Sequence, residues 1–166
     1  MFNGGRKLCY LVGQISPKFE ETYQWREYVR KEMMGYDDEI GFIDPCANPF
    51  NQKVLKQKRY AVDTVNHKRS FGIDVLPHKD YTFVLESDMA IVNMNQYDPD
   101  KQLLGSFFEL AWYFAEPEKT VIAFAENQDS YICQHPFVQG SVSVWVQDVV
   151  DAVYLLKKYF TNYTGE

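Results

Sequence analysis

At 166 residues, with 46% hydrophobic and 16% aromatic side chains, the chain is apolar enough for one domain over residues 1–166 and too apolar for disorder. A net charge of −6 and a pI near 5.1 argue against a nucleic-acid or anionic-membrane partner, while a nucleotide-sized ligand remains compatible. Cys9, Cys46 and Cys133 show no CxxC or CxxH spacing, which fits free thiols in a reducing cytosol and gives no zinc signature.

Before Gly13 there is only a short apolar run, with no leader or span pattern, so a soluble, cytoplasmic protein is expected. That run, KLCYLVG, reads as a first strand closed by Gly13. An amphipathic helix is expected next. Ser16 suits its cap, Pro17 its first turn, and Glu20 and Glu21 its positive end, while Phe19, Tyr23, Val29 and Met33 form an apolar stripe. Gly35 ends it. IGFIDP is a second strand. From Cys46 to Val75 the pattern weakens into a polar, basic excursion. PHKDYTFVLES reads as a helix with Pro77 near its start. MAIV, continuous and apolar, reads as the central strand of a parallel sheet. After the polar loop NQYDPDKQ come a helix over GSFFELAWYFAEP, a fourth strand in KTVIAFA, and a fifth in SVSVWV. The closing helix, QDVVDAVYLLKKYF, has Asp148 as its cap.

Strands alternating with helices predict an α/β, doubly wound, mainly parallel five-stranded sheet flanked by helices, of the flavodoxin or Rossmann-like kind. Ligands of such sheets bind beyond the carboxyl ends of the strands. That places Gly13-Gln14-Ile15-Ser16, the NMNQYD loop and the start of the Glu109 helix around one crevice. There is no GxGxxG and no P-loop. His67, His78 and His135 have no second ligand pair, so no metal or other cofactor is expected.

Glu109 stands out because it lies in the most apolar helix. Ser106-Phe107-Phe108-Glu109 matches a capping box, in which the glutamate would serve the helix start. A first-turn carboxylate would equally be kept ionised by the helix dipole, as a nucleophile requires. Asp88, at the opposite end of the sheet from the crevice, reads as structural.

The series CYLVGQIS, WREYVRKEM, FIDP, DYTFVLESDMAIVNM and GSFFELAWYFAEPEKTVIAF resembles the nucleoside 2-deoxyribosyltransferase-like superfamily from about Tyr10 to the closing helix. The resemblance implies that Glu109 is the nucleophile. It further implies that Asp80, eight residues before Asp88, contacts the base and assists proton transfer, and that Tyr10 hydrogen-bonds the nucleophile. Gly13 and Gln14 would line the pocket from the first loop, and Asn93 from the third strand. Gly105 would allow close approach ahead of the nucleophile helix. The stretched YDPDKQLLG loop leaves Asp98 and Asp100 as alternatives for binding the sugar. In the QHPFVQGSVSVW segment, His135 stands where the family's neighbouring subunit contributes to the pocket, so at least a homodimer is expected. The implied activity is N-glycosidic cleavage of a 2′-deoxynucleoside with deoxyribosyl transfer and no cofactor. A deoxynucleoside 5′-monophosphate hydrolase and a non-catalytic nucleotide-binding protein remain the alternatives. Lys18 is the one cation the sequence places near the first loop.

Overall fold

The structure, a computed structural model, describes residues 5–16, 18, 20–47, 76–98, 100 and 102–165. Pro17, Phe19 and most of the basic excursion, residues 48–75, lie outside the described residues. Five parallel strands carry the fold: β1 (Lys7–Gly13), β2 (Ile40–Ile43), β3 (Met89–Asn93), β4 (Thr120–Phe124) and β5 (Val144–Val146). Their order is β2-β1-β3-β4-β5, the doubly wound arrangement expected. All five residues of central β3 are buried, as a strand covered on both faces must be.

Side-chain alternation divides the interior in two. Tyr10, Val12, Ala90, Val92, Val121 and Ala123 face one side, packed by α2 (Leu76–Glu86), α3 (Leu104–Phe114) and the pair α4 (Tyr131–Gln134) and α5 (Pro136–Ser141). Cys9, Leu11, Met89, Ile91, Ile122 and Phe124 face α1 (Trp25–Glu32) and α6 (Val149–Phe160). The register sets Tyr10 between Ile43 and Ala90, and the small alanine leaves room for the large ring on the β3 side.

Several local expectations need correction. Ser16 does not cap α1: a π-helical turn, Glu20–Gln24, precedes that helix. The Ser16 hydroxyl instead accepts from Lys18 N, and Thr22 braces Ser16 through both its amide and its carbonyl. The segment before β5 forms α4 and α5, which the sequence pattern does not announce, and β5 is only three residues long. Gly35 does end the first helical region, at φ 97°, a conformation glycine adopts without strain. Asp148 caps α6 by accepting from Val150 N and Asp151 N. Asp88 is structural as read, accepting from Leu8 N at 2.8 Å and Lys7 Nζ at 3.0 Å where β1 begins. Among the described residues no helix is long and apolar enough to cross a membrane.

Candidate functional site

The buried stripe of α3 is Ser106, Glu109, Leu110 and Tyr113, spaced i, i+3, i+4 and i+7, so the acid faces the sheet with the apolar residues. There Tyr10, fully buried on β1, donates its hydroxyl hydrogen to Glu109 Oε1. The capping box does not form. The helix starts at Leu104 behind an N-cap at Leu103, so Ser106 lies inside it and Glu109 in its second turn. The dipole argument for an ionised carboxylate fails with it. Burial pushes Glu109 up to about 8, while the Tyr10 hydrogen bond opposes the rise and the nearby Asp80 charge adds to it.

Asp80 stands on α2. Burial raises its pKa too, and the Lys79 ammonium works against that rise. Its Oδ1 is buried without a hydrogen-bond partner, and Lys79 Nζ stands 3.5 Å away, within ion-pair range but long for a hydrogen bond. Burial, then the charges of Glu109 and Asp80, hold Tyr10 well above the usual phenol range, so it remains a donor. The fold therefore brings Tyr10, Asp80 and Glu109, which are distant in sequence, into one electrostatic cluster on the sheet face beneath the strand ends.

The first-loop and third-strand residues form a scaffold beside it. Asn93 donates to Tyr97 Oη at 2.9 Å and accepts at Oδ1 from both the backbone and side-chain nitrogens of Asn95. Gln14 Oε1 accepts from Tyr97 N at 3.3 Å. Asn93 thus braces the loop after β3, and Gln14 ties that loop to the one after β1. Gly13 is a point of close approach: a Cβ there would stand 3.1 Å from Asn93 Cβ and from Trp25 Cζ2. Gly105 is not, since a Cβ there would meet nothing within 4 Å. That corrects the close approach expected at Gly105. Asp98 Oδ1 accepts from Asp100 N in the exposed loop before α3. The His135 ring packs with Tyr131 and Phe137 and belongs to a surface aromatic group.

Basic groups missed in the sequence also gather at the strand ends. Arg26, fully buried, donates to Thr22 O and, at 3.0 Å, to Gly13 O, and its Nε lies 3.7 Å from Asp44 Oδ1. Arg30 pairs with Asp44 Oδ2 at 3.2 Å. Lys18 is therefore not the only cation nearby. Two signals pointed to these residues: Lys79 adjoins Asp80, and Arg26 follows Thr22 by one helical turn.

Fold and site together define a doubly wound α/β protein with a buried tyrosine–carboxylate pair on one sheet face. No family model and no curated protein matches the chain. Among solved structures, it is similar to a 2-desoxiribosyltransferase from Leishmania mexicana, with 19% identity over 73% of this chain and 65% of that one, at a TM-score of 0.46. This chain thus spans less than two thirds of that protein's length. It is also similar to an NADH:FMN oxidoreductase (EMOB) in its apo form, with 15% identity over 89% of this chain and 84% of that one, at a TM-score of 0.47.

Proposed function

We propose that the protein cleaves the N-glycosidic bond of a 2′-deoxynucleoside and transfers the deoxyribosyl group to a second base. The observation that carries this reading is the buried Tyr10–Glu109 hydrogen bond with Asp80 beside it. A carboxyl held by a phenol, next to a second, partly buried carboxyl, is the equipment of a retaining glycosyl transfer. The sequence resemblance names the same three residues.

In the mechanism, a Glu109 carboxylate oxygen attacks C1′ through an oxocarbenium-like transition state. The C1′–N electron pair leaves with the base, and Asp80 gives the base nitrogen its proton. Tyr10 orients Glu109. A nitrogen of the second base then attacks C1′ from the vacated face, Glu109 departs as carboxylate, and Asp80 takes back a proton. Near neutrality the free Glu109 holds a proton, so substrate entry has to shift that proton within the carboxyl pair before attack.

An unphosphorylated substrate is favoured by how the nearby cations are used. Among the described residues, Lys18 pairs with Glu21, Arg26 and Arg30 with Asp44, and Lys79 with Asp80. A phosphate dianion leaving water needs charge-assisted donors that are not already neutralised. The deciding experiment incubates the protein with each deoxynucleoside and its 5′-monophosphate, with and without a second base, followed by chromatography. Exchange into the added base, lost in Glu109→Gln, is the expected result. A preference above about a hundredfold for the monophosphate, about 2.7 kcal/mol in transition-state binding, with no exchange, establishes the hydrolase instead.

A further inference from the structure

Lys79 lies outside the proposed chemistry, yet its position relative to the reacting acids is specific. Its ammonium stands 3.5 Å from Asp80 Oδ1 and 5.2 Å from the centroid of the Phe83 ring, one helical turn along α2. The Phe83 ring in turn meets the Tyr10 ring edge-on at 5.5 Å. A run of contacts, Lys79–Phe83–Tyr10, thus leads from the cation to the phenol that holds Glu109. The lysine is half-buried, with its side chain 26% exposed, so water screens its charge less than at an open surface site.

We infer that Lys79 is a positioning residue whose ammonium, fixed by Phe83 and Asp80, sets the pH at which the Asp80–Glu109 pair gives up its first proton. The inference rests on the reading of that pair as the reacting acids. The Asp80 charge acts on Glu109, which is buried while Asp80 is only partly so, and the doubly protonated pair has no nucleophile. A cation beside them brings the singly charged pair to lower pH. The other groups acting on Glu109 are Tyr10 from β1, Asp80 from α2 and Arg26 from α1, with Tyr113 on its own helix. Arg26 favours the charged form of Glu109 more than Lys79 does, from α1, where its guanidinium also holds Gly13 O, Thr22 O and Asp44; Lys79 differs in acting on Asp80 as well as on Glu109. Lys79 is the lysine beside Asp80 on α2; His78, on the same helix, is exposed.

The test compares Lys79→Met and Lys79→Arg with the parent protein by two readouts. The first is the pH profile of kcat/KM on a deoxynucleoside. Lys79→Met should move the acidic limb up by about one pH unit, a loss of about tenfold at pH 6 that disappears at high pH, and Lys79→Arg should restore it. The second needs no turnover: the unfolding stability of each protein is compared with that of its own Glu109→Gln partner across pH. The midpoint of that difference should move up in Lys79→Met and return in Lys79→Arg. A midpoint that moves in a protein that cleaves no nucleoside leaves Lys79 in its role and overturns the proposed activity. A midpoint that stays in place overturns the inference, whatever the activity. A loss equal at all pH values assigns Lys79 to structure, and a loss confined to phosphorylated substrates assigns it to phosphate binding; either also overturns the inference.

Discussion

Glu109 pulls stability and chemistry in opposite directions. In the fold it keeps its proton up to about pH 8, whereas the unfolded chain loses that proton near 4.5. Between those values the native state binds more protons than the unfolded one, so stability falls as pH rises and levels off above about 8. Glu109→Gln keeps an acceptor for Tyr10 and removes this slope. It should match the parent near pH 4 and be more stable by several kcal/mol at pH 9, because each pH unit between the two values contributes about 1.4 kcal/mol. Unfolding of both proteins at the two pH values checks this. Turnover should be abolished in the same variant; activity within about tenfold of the parent would end the nucleophile assignment. Tyr10→Phe withdraws the donor that holds the Glu109 charge. Its acidic limb should rise and its rate should fall about 10- to 100-fold, which a pH profile of the variant would measure.

At the scale of the element, helix starts and strand ends make separate predictions. Asp148 satisfies two orphan amides of α6, far from the acid cluster. Asp148→Ala should cost about 1 kcal/mol in urea unfolding and leave kcat/KM unchanged. The two glycines of the site should behave oppositely. Gly13→Ala pushes a methyl against Asn93 and Trp25, so the ends of β1 and β3 must part, with an expected loss of about 1–3 kcal/mol. Gly105→Ala enters open space on the first turn of α3 and should gain up to about 1 kcal/mol. Equal destabilisation of both by calorimetry would contradict this account of the first loop.

Among the described residues, one exposed apolar surface spans α2 and α3. Leu104 and Phe108 on α3 are 58% and 61% exposed, and Phe108 packs against Trp112, which meets Tyr81 of α2 at 5.2 Å. Leu85, one helical turn along α2 from Tyr81, is exposed as well. Aromatic side chains left in water over two adjacent helices favour association. We expect at least a dimer in sedimentation velocity, with Phe108→Glu shifting it to monomer. An active monomer at assay concentration would refute that expectation.

Periodicity and order were enough for the sheet. The apolar run at Met89–Val92 identified the central strand because a strand buried on both faces has no polar alternation. Asp148 and Gly35 were legible because caps and left-handed turns are local chemistry. The short α4 and α5 were not legible, since helices of four and six residues take their stability from packing on the core rather than from their own pattern. At the site, Glu109 stood out from its apolar helix, while Asp80 and Tyr10 were pointed to only by the family resemblance of the ordered segments. Packing settled that Ser106 and Glu109 share no cap, and that burial raises Glu109 where a helix dipole would have lowered it. It alone brought Lys79 and Arg26 to the acids. Charge and desolvation act through space, and the separation between β1, α2 and α3 that sets them is a property of the packed sheet and not of any segment.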